Sequence, residues 1–107
     1  MRKGKVLFNN IEAGYIIENE PGNYVFKYNT NYLTNKILPS ISVTLPKDKQ
    51  SHYSKELFPF FFNMLSEGAN RKLQCRILKI DEEDDFGLLL KTAGNETIGA
   101  IHVQEIL

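Results

Sequence analysis

The sequence predicts an α+β fold in which a small antiparallel or mixed sheet of about five strands packs against a C-terminal cluster of about three helices. Two observations predict it. Residues 3–45 contain short runs in which apolar and polar side chains alternate, the pattern of half-buried strands. Residues 58–102 hold apolar groups at helical spacing, separated by glycines, before a last alternating run. The chain therefore closes with a strand.

The first three strands follow from turn signals and alternation. Residues 3–8 and 11–18 are β-prone runs on either side of Asn9 and Asn10, residues that tolerate the left-handed backbone of a tight turn. This pattern predicts a hairpin. Residues 24–28 alternate after a Pro-Gly pair and predict a third strand of an antiparallel meander.

The middle of the chain predicts less regular structure. Residues 30–36 have the spacing of one or two helical turns, and Pro39 ends them because the residue before a proline avoids helical backbone. Residues 40–45 alternate and predict a half-buried strand. Residues 47–55 are polar without a core-facing period, which predicts an exposed loop.

Two helices are predicted next. The first starts within residues 57–59, where a proline is tolerated in the opening turn, and Gly68 ends it. Asn70 opens the second helix, which carries Leu73, Ile77 and Ile80 on one face.

The third helix is predicted from its charges. Asp81 is the expected N-cap, and residues 82–85 place acidic groups in a first turn where the helix dipole favours them. The leucines at 88–90 point inward, and Gly94 supplies a left-handed residue after the helix. Residues 98–107 predict the closing strand.

Length and charge limit the classes of function. The 107 residues predict one domain, 1–107, too short for a catalytic domain plus a second module. Lysine and arginine total 13, as do aspartate and glutamate, so we expect no net field for nucleic acid or anionic membranes. Cys75 has no intrachain disulfide partner, and no apolar run reaches membrane-spanning length. A reducing, cytoplasmic setting without membrane contact is expected.

Short motifs do not assemble an enzyme. Asp85-Phe86-Gly87 spells a magnesium-binding tripeptide of protein kinases, but no catalytic loop precedes it and it falls in the predicted third helix. Residues 94–99 have the glycine spacing of a phosphate loop without its lysine, so a turn is the favoured interpretation.

The histidines and the cysteine are interpreted as structural. His52 and His102 are far apart in sequence, and Cys75 has no second ligand at metal-binding spacing. We therefore predict no catalytic residue, no metal site, no cofactor and no enzyme activity.

Two surface features are better candidates for binding. Basic side chains on the second helix could meet phosphates, although the neighbouring acidic run favours a compensated, solvated face; they are Arg71, Lys72, Arg76 and Lys79. The aromatic residues at 58 and 60–62 cover much of a helix circumference. Core packing explains most of them, and an exposed apolar patch for a partner is the alternative.

Four motifs follow one another along the chain: Leu45-Pro46, the run FFNMLSEGANR at 61–71, DDFGLL at 84–89 and the Gly94 to Ala100 segment. In this order they resemble the N-terminal subdomain of the HipA family of serine/threonine kinase toxins. The similarity spans essentially the whole chain.

The resemblance implies a noncatalytic role. In full-length HipA-like kinases the nucleotide loop, the catalytic aspartate and the metal ligands follow this subdomain, so we expect none of them within residues 1–107. In split, three-component HipBST-type toxin–antitoxin systems, a short HipS-like protein equivalent to this subdomain is made separately from the kinase core and a DNA-binding HipB-like protein. The resemblance thus implies a subunit that docks on a HipA-like kinase core and restrains or completes it.

Two alternatives remain, a stand-alone protein-interaction domain and a nucleic-acid-associated regulatory component without a kinase partner. The zero net charge argues against direct nucleic-acid binding. The residues predicted to contact a partner are Phe60, Phe61, Glu67, Asn70 and Arg71.

Overall fold

The computed structural model describes residues 1–94 and 100–107, and these form a five-stranded sheet with the strand order β4-β3-β2-β1-β5. All neighbouring strands are antiparallel. The strands are β1 Arg2–Phe8, β2 Ile11–Glu20, β3 Asn23–Tyr28, β4 Ser51–Ser54 and β5 Ile101–Ile106. The helices are α1 Thr30–Thr34, α2 Pro59–Phe62, α3 Gly68–Leu78 and α4 Asp85–Thr92. The predicted α+β class and the closing strand are confirmed.

The predicted hairpin and third strand are also confirmed. Asn9 and Asn10 both have positive φ, 48° and 67°, and connect β1 to β2. Gly14 lies where β2 and β3 come closest, because a Cβ on it would stand 2.1 Å from the carbonyl oxygen of Lys27. No larger residue fits there without moving β3.

The fourth strand lies later in the chain than predicted. Residues 40–45 form no strand among the described residues, whereas the supposed loop 47–55 contains β4. Ile41 and Leu45 are buried in an irregular loop, whereas Val43 between them is 95% exposed, so the alternation in residues 40–45 does not mark one buried strand face. The Tyr28 hydroxyl holds this loop, because it donates to the carbonyl of Leu45 and accepts from the amide of Ile41.

The helix boundaries differ from those predicted as well. α2 ends at Phe62, well before Gly68, and α3 begins at Gly68 rather than Asn70. The N-cap of α4 is Asp84, whose carboxylate accepts from the Gly87 amide at 3.1 Å. Asp81 instead accepts from the Glu83 amide at 2.8 Å and shapes the preceding turn.

The end of α4 also corrects the prediction. Gly94 does not have a positive φ, and α4 ends through Ala93 in right-handed backbone. The closing strand was predicted to start at residue 98, which lies outside the described residues, as do residues 95–99 of the turn predicted at 94–99. The strand itself is described from Ile101 onward.

The core lies between one face of the sheet and the helices. Phe26 of β3 contacts Phe61 of α2 with ring centroids 5.8 Å apart, and Tyr24 contacts Phe86 of α4 at 5.9 Å. Tyr32 of α1 stacks on Tyr28 on the same face. The leucines at 88–90 are buried as predicted. All of these helices therefore pack on one side of the sheet.

A guanidinium group joins the sheet to α4. Arg2 contacts a Glu18 carboxylate oxygen at 2.7 Å and an Asp84 carboxylate oxygen at 2.8 Å, and its guanidinium carbon lies 5.4 Å from the Phe86 ring centre. Glu18, whose side chain is only 8% exposed, also accepts from the Tyr24 hydroxyl at 3.0 Å. A buried carboxylate needs such partners, because an unpaired charge is costly away from water.

The same cluster explains the glycine of the kinase-like tripeptide. A Cβ on Gly87 would stand 2.2 Å from an Asp84 carboxylate oxygen and 3.0 Å from an Arg2 nitrogen. Glycine at this position leaves room for the ion pair, so the tripeptide has a structural role in α4.

We predict that Arg2→Met lowers the free energy of unfolding at pH 7 by about 2–4 kcal/mol, because it leaves the Glu18 carboxylate without its cation. The hydrogen bond from Arg2 lowers the pKa of Asp84 below its ordinary value of 3.8. The Arg2–Asp84 ion pair therefore contributes its full stability above pH 3.8. That contribution is lost as the pH falls through the lower pKa of Asp84 in the folded protein. Urea titrations of the wild type and of Arg2→Met at pH 7 and pH 3 measure the difference between their free energies of unfolding. A difference that is equal at the two pH values would contradict the prediction.

Candidate partner-binding surface

A shallow groove lies where α2 approaches the start of α4. Its volume is about 410 Å³, and it is lined by Glu56, Leu57, Pro59, Phe62 and Asp85. Pro59 opens α2 because its missing N–H would be unpaired there. The groove thus combines an apolar floor with two carboxylates. We call this groove and the exposed residues of α2 and α3 beside it the candidate surface.

Arg71 connects α3 to the start of α4. Its guanidinium contacts the Asp85 carboxylate at 2.6 Å and donates to the carbonyl oxygen of Glu82 at 2.6 and 3.0 Å. Its side chain is 17% exposed. The cation is thereby compensated, as the neighbouring acidic run indicated. Arg71 therefore holds the two helices together at the groove edge, and its charge is largely neutralised there.

The aromatic run divides between core and surface. Phe58 and Phe61 are buried, Phe60 is partly buried, and Phe62 is 42% exposed. Phe61 contacts the rings of Phe60 and Phe26 at 5.2 and 5.8 Å. The ring of Phe61 is fully covered and belongs to the core of this structure, and its contact with a partner stays a prediction. Core packing accounts for this ring, and Phe62 is the exposed phenylalanine that the prediction missed.

α3 presents apolar side chains outward. Leu73 is 53% exposed and Ile77, one turn later, is 67% exposed, whereas the buried residue of this helix is Cys75. Glu67 and Asn70 are exposed near the start of α3. An apolar pair at this spacing fits a core-facing stripe and a partner-facing stripe equally well, so the sequence carried no signal to separate them.

The groups considered for chemistry are dispersed. The His52 ring nitrogen Nε2 lies 2.8 Å from the Pro46 carbonyl oxygen, and His52 and Cys75 are both buried in different elements. Within residues 1–94 and 100–107, no three histidine, cysteine or carboxylate side chains are grouped to hold a metal ion. In the same part of the chain no helix has both the length and the apolar character needed to cross a bilayer.

Comparison with known proteins identifies relatives of this chain. A family model described as HipA N-terminal domain matches residues 4–104. An uncharacterized protein of Haemophilus influenzae is 31% identical over 105 residues, covering 98% of this chain and 93% of that protein. The solved structure titled "N-terminal domain of HipA toxin" has 28% identity and a TM-score of 0.73, covering 100% of this chain and 94% of that one.

A longer relative carries the same region as a small part. The protein titled "Putative kinase Y4mE" from Sinorhizobium fredii is 27% identical over 91 residues, which are 85% of this chain and 21% of that protein. This chain thus spans about a fifth of the kinase relative and nearly all of the Haemophilus relative.

We predict unequal stability effects for two adjacent phenylalanines. Phe61→Ala lowers the free energy of unfolding by about 3–5 kcal/mol because it opens a cavity between α2 and the sheet. Phe62→Ala lowers it by only about 1 kcal/mol, since that ring is 42% exposed and buries only part of its surface. Urea unfolding followed by tyrosine fluorescence measures both values. Equal losses would mean that Phe62 is part of the core.

Proposed function

Because this chain belongs to the HipA N-terminal domain family, we propose that it is a noncatalytic partner subunit of a HipA-like serine/threonine kinase in a split toxin–antitoxin system. It acts in the cytoplasm, where it docks on the kinase core and restrains or completes it. One comparison carries this proposal: the same domain makes up nearly all of a small relative and about a fifth of a kinase relative.

A domain that works apart from its kinase needs a contact surface in place of a covalent link. A link gives a high effective concentration, whereas a separate subunit must gain its affinity from buried area and complementary polar groups. The candidate surface offers both. Phe62, Leu73 and Ile77 are exposed apolar side chains, and Glu67 and Asn70 supply polar groups nearby.

Binding controls the kinase through differential affinity. A subunit that binds the inactive arrangement of the kinase core more tightly lowers its activity, and one that binds the active arrangement more tightly raises it. Both outcomes need only a docking surface. Restraint and completion therefore differ in which kinase state this chain prefers, and an activity measurement separates them.

The two alternatives make different predictions. A nucleic-acid-associated component that uses the basic side of α3 needs uncompensated cations there, and one of the four basic residues, Arg71, is already paired with Asp85 and with the Glu82 carbonyl. A stand-alone interaction domain fits the exposed apolar residues equally well. It predicts no complex with a kinase core.

We predict that the chain forms a stable complex with a HipA-like kinase core encoded in the same genome. Co-expression followed by size-exclusion chromatography detects the complex, and phosphorylation with and without the chain gives its effect. Suppressed phosphorylation identifies restraint, and increased or newly gained phosphorylation identifies completion. Separate elution of the two proteins at micromolar concentrations would contradict the proposal.

Charged substitutions test the surface. We predict that Phe62→Asp and Ile77→Asp each weaken the complex at least tenfold, because a carboxylate must then be buried against an apolar partner surface. Ile37→Asp is the matched control, since Ile37 is 91% exposed and lies outside the candidate surface. Isothermal titration calorimetry measures the affinities, and thermal melts verify that the variants fold. Wild-type affinity in both folded variants would exclude this surface.

A further inference from the structure

The second face of the sheet is open. Residues of β1 to β5 that alternate with the core residues form two cross-strand rows on this face. The first row runs Tyr53, Val25, Ile17, Lys3 and Ile106, and the second runs Ser51, Lys27, Tyr15, Lys5 and Gln104. No residue of either row is buried. We call these two rows the open face.

Lysine is concentrated on the open face. Lys5 and Lys27 flank Tyr15 directly across the strands, and Lys3 lies in the next row. Strand spacing puts the Lys5 and Lys27 backbones about 10 Å apart. Among the described residues, no ion pair involves any of these three lysines. The chain has zero net charge, yet this face has a local excess of positive charge.

One carboxylate lies beside these lysines. Glu12, next to the second row, accepts from the Tyr15 hydroxyl at 2.6 Å and interacts electrostatically with Lys5, so it offsets part of the positive charge of the three lysines. That hydrogen bond lowers the pKa of Glu12 and raises the pKa of Tyr15, so the pair keeps its charge and its proton near neutral pH. The bond also anchors the Tyr15 ring at the centre of the face. The other tyrosine of the two rows is Tyr53, which lies on the edge strand β4 and is 74% exposed.

We infer that the open face binds single-stranded nucleic acid. Lysines contact the phosphates, and the Tyr15 and Tyr53 side chains, whose backbones lie roughly 12 Å apart by strand geometry, provide rings on which unpaired bases stack. Flat sheets with exposed aromatic residues bind single strands in this way. The central lysines favour this ligand over a protein partner, because lysine is depleted at protein–protein interfaces. The inference goes beyond the proposed kinase contact and uses the opposite side of the molecule.

Fluorescence anisotropy with labelled oligo(dT) and oligo(U) of 20 nucleotides tests the inference. We expect a Kd on the order of 10–100 µM at 50 mM salt and a slope of log K against log salt of roughly −2, the value for three phosphate contacts on a single strand. The double variant Lys5→Glu/Lys27→Glu weakens binding at least about tenfold. Tyr53→Ala weakens it about fivefold or more through lost stacking.

A second pair of lysines provides the control. Lys36 and Lys49 are exposed and lie outside the sheet and outside α3, so Lys36→Glu/Lys49→Glu makes the same change in net charge and leaves the open face intact. We expect this double variant to bind within about threefold of wild type. Thermal melts verify folding, and Lys5→Gln/Lys27→Gln replaces the glutamate variant if that variant unfolds.

Two outcomes would overturn the inference. In the first, the two double lysine variants weaken binding equally, as a diffuse charge effect requires. In the second, the wild-type protein binds neither oligonucleotide up to 1 mM at 50 mM salt, and the Lys5→Glu/Lys27→Glu variant instead loses affinity for the kinase core. The open face would then be the docking site for an acidic protein surface.

Discussion

The position of α4 on the sheet depends on one guanidinium group. Arg2 lies on β1, contacts Glu18 on β2 and reaches the N-cap of α4 at Asp84. Each carboxylate would be costly to bury alone, and the planar guanidinium serves both because its donors lie in a fixed fork. The cluster also requires Gly87, where any side chain would collide with the Asp84 carboxylate. Since α4 carries the buried leucines at 88–90, this polar cluster sets where the apolar core meets the sheet.

The fold could be predicted where local backbone chemistry determines it. The turn at Asn9 and Asn10 needs positive φ at both residues, and asparagine tolerates it, so the hairpin was visible in the sequence. β4 was not visible, because Ser51–Ser54 has no apolar alternation and becomes a strand by pairing with β3, with His52 buried opposite Phe26. Long-range pairing of this kind has no local signal.

The candidate surface was predicted only in part for a related reason. Sequence spacing places residues on a helix, yet it does not specify which side of a short helix faces the core. Phe61 and Phe62 are neighbours of the same type, and α2 turns one inward and the other outward. The residues of α3 behave similarly: Cys75 is the inward residue, and the more apolar Leu73 and Ile77 face water. Sequence alone does not separate the two roles, since apolar character is required by a core and by an interface alike.

Arginine and lysine have different roles in this chain, although its net charge is zero. Arg2 and Arg71 form ion pairs with Asp84 and Asp85 of α4 and its N-cap, so these opposite charges cancel and contribute little to the field outside the protein. The lysines on the sheet have no such partners among the described residues. Strand alternation joins the two systems, because it turns Arg2 toward α4 and the next residue, Lys3, toward the open face. β1 therefore carries two of the three lysines on the open face and the Arg2 ion pairs on the opposite face.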